Sequence, residues 1–250
     1  MSRNFELMQN LGRERELYDA QAESVAEGRI PPPAVAPATP LQLAMEPGQR
    51  EEILKLVQRV FLGTGMENVR LVVFSALEEG DGATWTCARA AEMLASQVSG
   101  SVCVVDANFQ SPGLHQEFGV KNDRGFSEAL SVSDPVAGFA TSLERANLSV
   151  LTAGAAVESV NADALRWRLA DLRREFSYIL VDAPPVNGGA DVVSLARAGE
   201  GLVLVLKAHS SRRETARQAV QELNEAGVRI LGAVLNQRTF PIPESVYRKL

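Results

Sequence analysis

Phe74-Ser75-Ala76-Leu77-Glu78-Glu79-Gly80-Asp81-Gly82-Ala83-Thr84 joins the apolar run Leu71–Phe74 to a helix-forming stretch that continues through Cys87-Ala88-Arg89-Ala90-Ala91-Glu92-Met93-Leu94-Ala95. Strand, Gly-rich turn and helix in that order form the frame of a phosphate-binding loop. Backbone N–H groups of the turn and the positive end of the helix face the anion, a Lys neutralises it, and a Ser or Thr holds Mg2+. Gly80 and Gly82 supply the turn and Thr84 the hydroxyl, but Ala83 stands where the Lys belongs, so the GxxxxGK[ST] pattern is not met. Alone, the stretch reads as readily as an ordinary strand-to-helix turn.

Outward from it, short apolar runs alternate with helical patterns. Leu71–Phe74, Val102–Val105, Leu148–Leu151, Tyr178–Val181, Leu202–Leu206 and Ile230–Leu235 are short and almost wholly apolar, as suits strands buried on both faces of a parallel sheet. Leu165, Leu169, Leu172 and Phe176 make one helical stripe; Ala216, Ala219, Val220 and Leu223 make another, with Gly227 placed to end that helix. The alternation predicts a three-layer α/β domain with a mainly parallel central sheet, whose ligands bind beyond the carboxyl ends of the strands.

The 250 residues, 46% hydrophobic and 22% charged, suffice for one globular core and exclude a disordered chain. A net charge of −6 leaves no concentrated basic patch for nucleic acid. No apolar run approaches the roughly 18–20 residues that span a bilayer, and no signal-peptide core follows the polar start, so a cytoplasmic protein is expected. Cys87 and Cys103 lack metal-ligand spacing and read as buried thiols in a reducing compartment. The expected divisions are 1–48, a mildly helical segment and a Pro-rich tether; 49–240, the folded domain; and 241–250, a tail. Ile53, Leu56, Val57, Val60 and Phe61 recur at helical spacing, and their stripe covers either this chain's own sheet or a neighbouring subunit. On the second alternative, Leu56→Asp shifts self-association without unfolding the core.

Asp106 closes the run Val102–Val105 and Asp182 closes Tyr178–Val181, positions from which a carboxylate can hold Mg2+ beside a triphosphate or simply cap the next turn. Pro184-Pro185 stiffens the exit from the second of them. The conjunction Ser75-Ala76…Gly80-Asp81-Gly82, Val105-Asp106-Ala107-Asn108…Pro112-Gly113-Leu114-His115-Gln116-Glu117-Phe118-Gly119 and Ile179-Leu180-Val181-Asp182-Ala183-Pro184-Pro185 resembles the bacterial tyrosine kinases. These are P-loop autokinases of capsule and exopolysaccharide systems, and the likeness runs from about Glu51 to Asn236. It implies a site for ATP and Mg2+ with Asp106 and Asp182 as catalytic carboxylates. Gly80, Asp81, Gly82, Ala83, Thr84, Trp85 and Asn236 lie around the nucleotide, Asn236 near the adenine, and Thr84, Asp106 and Asp182 near the metal. It further implies a homo-oligomer, and recruitment to the inner face of the membrane by a chain-length or co-polymerase protein of polysaccharide export.

The departures from that pattern are as informative. Besides Ala83, the loop is one residue longer before Gly80, Asn108 replaces a second Asp, Phe109-Gln110 stand where Arg-rich residues follow, and the tail carries only Tyr247 in place of a tyrosine cluster. Glu78, Glu79 and Asp81 are expected to add repulsion near a polyphosphate. The expectation is therefore a regulatory pseudokinase, against an active autokinase or ATPase with a substitute cation such as Lys207 or Arg212. His115 and His209 have no Cys at ligand spacing and suggest no metal centre or triad. Arg166, Arg168, Arg173 and Arg174 flank an apolar stripe, a solvated face or a docking site for an acidic segment or the inner leaflet.

Overall fold

Runs apolar on both faces cannot meet water on either, so they pair edge to edge and take a helical layer on each side. The computed structural model describes residues 43–63, 69–143, 147–156, 160–188 and 191–238. The helical stretch 5–28, the Pro-rich segment as far as residue 42 and the tail with Tyr247 lie outside the described residues. In chain order the elements are α1 (Pro47–Phe61), β1 (Leu71–Ala76), α2 (Ala83–Gln97), β2 (Val102–Asp106), α3 (Leu114–Glu117), α4 (Phe126–Ser131), β3 (Thr141–Ser142), β4 (Leu148–Leu151), α5 (Ala162–Glu175), β5 (Tyr178–Asp182), α6 (Asp191–Ala198), β6 (Gly201–Lys207), α7 (Arg213–Glu225) and β7 (Ile230–Asn236).

The seven strands lie in the order β3-β4-β2-β5-β1-β6-β7, every neighbouring pair parallel except β3 with β4. All six strands expected from the sequence are present, but β7, at the edge of the sheet, is not buried on both faces: none of its residues is fully buried and Leu235 is exposed. The seventh, β3, is a two-residue polar Thr-Ser edge that no apolar run announces.

Alternate residues of each strand divide the core in two. Leu71 and Val73 of β1 pack with α4, α5, α6 and α7 through Phe126, Leu169, Leu195 and Leu223. Val72 and Phe74 pack with α1, α2 and α3 through Val57, Leu94 and Leu114. Period-two alternation in a strand puts neighbours on opposite faces, which is why one apolar run serves both layers. Gly227, φ +73°, ends α7 as the spacing implied: its N–H bonds the Asn224 carbonyl and that of Val228 bonds the Leu223 carbonyl, both at 2.9 Å. Among the described residues no helix is long and apolar enough to cross a membrane.

Helix α1 settles its open alternative. Ile53, Val57, Val60 and Phe61 are buried with Cys87, Ala91 and Leu94 of the chain's own α2, and Leu56 is half-buried against the same cluster. A charge at Leu56 therefore acts on this chain's core first, contrary to the expectation that it would shift self-association alone. The helix begins at Pro47, just inside the segment read as tether, because Pro is well placed in a first helical turn. Truncating Ile53, 5% exposed, to Ala is expected to cost about 2–5 kcal/mol in denaturant unfolding; an unchanged midpoint would show that α1 is not part of the core.

Candidate functional site

Because β1, β2 and β5 are parallel and adjacent, their carboxyl ends deliver the Gly-rich loop, Asp106 and Asp182 to one end of the sheet. Asp106 and Asp182 are in register on β2 and β5, and the Ala107 N–H bonds the Asp182 carbonyl at 2.8 Å. The loop is tied to the same place. Ser75 Oγ donates to the Pro184 carbonyl at 2.7 Å, Ala183 N–H to that of Phe74 at 2.9 Å, and Leu77 N–H to that of Val205 at 3.0 Å.

The two carboxylates differ in what they touch. Asp106 Oδ2 accepts N–H bonds from Gly113 and Leu114 at 2.9 and 3.0 Å, and Oδ1 accepts one from Asn108 at 3.1 Å. It thus caps the start of α3 and closes the loop before it. Asp182 is fully buried, and among the described residues neither of its oxygens has a hydrogen-bond partner. Burial pushes its carboxyl well above the ordinary value, and the Asp106 charge adds to the shift. The Thr84 hydroxyl lies near enough to oppose it, yet stays outside hydrogen-bonding geometry. Burial raises Asp106 as well, opposed by the N–H bonds of Leu114, Gly113 and Asn108.

A buried carboxylate with two bare oxygens is costly unless something is meant to meet it. Thr84 is beside it, in the first turn of α2, and also lies so close to Gly113 that a side chain there would strike its methyl group. That donor set suits a hard divalent cation: the Asp182 oxygens and the Thr84 hydroxyl are available, while Asp106, with three N–H bonds already, has at most one lone pair to spare. Among the described residues no three His, Cys, Asp or Glu side chains converge on a metal position, so Thr84 is essential to the fit. The N-cap of α2, Gly82, has no side chain to cap it, so among the described residues the N–H groups ahead of Thr86 in this fifteen-residue helix are left without a cap.

The rest of the loop departs from expectation. Asp81 is 3% exposed and turned inward: its Oδ2 accepts from Glu78 N–H at 3.1 Å and from Ser211 Oγ at 3.2 Å. Its charge braces the loop, so the repulsive face is left to the exposed Glu78 and Glu79. Asn236 is a second brace, its Nδ2 donating to the Asp81 carbonyl at 2.9 Å. Gly82, φ +92°, lies against that amide, and a Cβ there would collide with it. Trp85, in the first turn of α2, is partly buried against the apolar cluster on that side of the sheet and carries the Arg89 guanidinium on its ring at 4.4 Å, Arg89 being paired with Glu117. Ala83 is 7% exposed, closed in by Ala76 and Val205, with Val234 packed alongside. Ser211 escaped the sequence reading, since nothing in a Ser-Ser pair shows that it reaches a loop 130 residues away. Cys87 is buried, its thiol raised by burial and then by Asp182 and Asp106.

Known proteins share similarity with this chain in sequence and in fold. Tyrosine-protein kinase YwqD of Bacillus subtilis (strain 168) is 24% identical over 172 residues, 67% of this chain and 72% of the relative. The crystal structure of the chimerical protein CapA2B2 superposes with a TM-score of 0.71 at 21% identity, covering 78% of this chain and 87% of that one. The kinase domain of the Escherichia coli tyrosine kinase ETK superposes with a TM-score of 0.68 at 20% identity, covering 78% and 79%. No family model matches the chain.

A carboxyl whose native pKa is raised holds its proton more tightly folded than unfolded. Its stabilising effect is complete below the ordinary carboxylate range and is lost as pH rises through the raised native value. Without metal, Asp182→Asn is therefore expected to melt progressively higher than the parent as pH climbs from about 4 to about 8. Parallel melting curves across that range would mean that Asp182 is not a strained carboxylate.

Proposed function

We propose that this bacterial-tyrosine-kinase-like P-loop protein keeps a Mg2+·ATP site, has lost most of the phosphate-transfer chemistry, and serves as a regulatory subunit of capsule or exopolysaccharide synthesis and export. The observation that carries the reading is a contrast within one turn of α2. Ala83 is sealed in an apolar cluster, while the neighbouring Thr84 faces a buried carboxylate with no partner.

In this reading the first N–H groups of α2 receive phosphate oxygens, and Thr84 with Asp182 holds the cation. When bound, Mg2+ would neutralise phosphate charge. Asp106 shapes the site through α3, and Asn236, Asp81 and Ser211 keep the loop in form. The missing Lys removes a charge-assisted hydrogen bond of about 1.5–3 kcal/mol, a ten- to hundredfold loss in binding. A donor aimed at charge developing in the transition state is worth more, on the order of 10² to 10³ in rate. Binding thus survives the substitution better than transfer does.

The likeness to YwqD and ETK supports the further proposal that the domain acts at the inner face of the membrane, docked on a chain-length or co-polymerase protein, as a homo-oligomer. An active autokinase or ATPase is the second reading, favoured by the donor set that Thr84 and Asp182 keep together.

With radiolabelled ATP and Mg2+, the purified chain is expected to bind nucleotide, to turn over about a hundredfold or more below YwqD assayed alongside, and to leave its tyrosines unlabelled. Turnover matching YwqD and abolished by Asp182→Ala would overturn the regulatory reading.

A further inference from the structure

Strand β6 sorts its side chains by alternation. Leu202 and Leu204 enter the core beneath α5, α6 and α7, and Leu206 packs on the same side. Val203 enters the opposite core beneath α2, and Val205 closes on Ala76 and Ala83. Lys207, the last residue of β6, continues the row of Val203 and Val205. Its side chain therefore leaves the sheet on the face that carries the loop, about 6–7 Å beyond the residue that packs on Ala83.

Its surroundings fix that placement from both sides. The register neighbour of Lys207 on β7 is Asn236, whose amide holds the Asp81 carbonyl and touches Gly82. The Lys207 N–H itself donates to Ser211 Oγ at 2.9 Å, and that hydroxyl donates to Asp81. Lys207 is half-buried and makes no ion pair among the described residues. The other nearby cations are less suited: Arg89 is held between Trp85 and Glu117, and Arg212 is the exposed N-cap residue of α7.

We propose that Lys207 supplies from β6 the positive charge that the loop lacks at Ala83, its ammonium lying against the phosphate groups of the nucleotide bound at the start of α2. The inference rests on the reading of this end of the sheet as a Mg2+·nucleotide site. A four-carbon stem carrying a compact charge with three rotatable donors suits the task from a neighbouring strand. It reaches the phosphates from a different direction than a loop lysine would, so it restores affinity for charge without restoring the placement that transfer requires.

Calorimetric titration of the full chain with Mg2+·ATP decides the matter. Lys207→Met and Lys207→Gln should each weaken binding about ten- to a hundredfold, Lys207→Arg should keep most of it, and the salt dependence of binding should flatten in the two neutral variants. Making both neutral variants keeps the test open if one fails to fold. Affinity within about twofold of the parent in a folded neutral variant, or an Arg variant as weak as the neutral ones, would overturn the role of Lys207 and leave the nucleotide site standing. No binding by the parent protein would overturn both.

Discussion

Two carboxylates end neighbouring parallel strands in register, inside an apolar interior that cannot hold both charges without something to offset one of them. The fold answers for Asp106 with three backbone N–H bonds and for Asp182 with nothing from the described residues. Replacing an unpartnered buried carboxylate by an amide or an apolar group would ordinarily stabilise a protein, which makes Asp182 the candidate around which a site would form. Loop, helix start and strand ends lie around that carboxylate: Thr84 beside it, Gly113 against Thr84, and the uncapped first turn of α2.

The loop itself is held from outside. Asp81, which the sequence suggested would repel phosphate, is folded inward and joined to Ser211, while Asn236 grips its carbonyl. The loop is braced by β6, β7 and the turn before α7 through protein contacts alone. Next to Thr84, Ala83 is held by apolar packing on Ala76 and Val205.

The fold was legible because continuous apolar runs of four to six residues between helical stripes have few solutions other than a buried parallel sheet. Asp106 and Asp182 could be placed at strand ends for the same reason. Pattern could not supply pairings across the chain. Thr141–Ser142 joins the sheet at its edge, where no apolar signal is needed, and Ser211 meets Asp81 only because β6 lies beside β1. Nor could pattern say that α1 covers its own chain, since an apolar stripe looks the same whichever surface it meets. The direction of the Lys207 side chain also follows from alternation only after the burial of Leu202–Leu206 is known.

The most direct measurement of the central claim is the melting temperature of the chain with ATP and Mg2+ together, with each alone, and with neither. A ligand that binds the folded state stabilises it by about 2.7 kcal/mol at a hundredfold excess over its dissociation constant. The account predicts a clear rise only when nucleotide and metal are both present, and no rise in Asp182→Ala. Melting that stays unchanged with both at millimolar concentration, or that rises equally in Asp182→Ala, would contradict it.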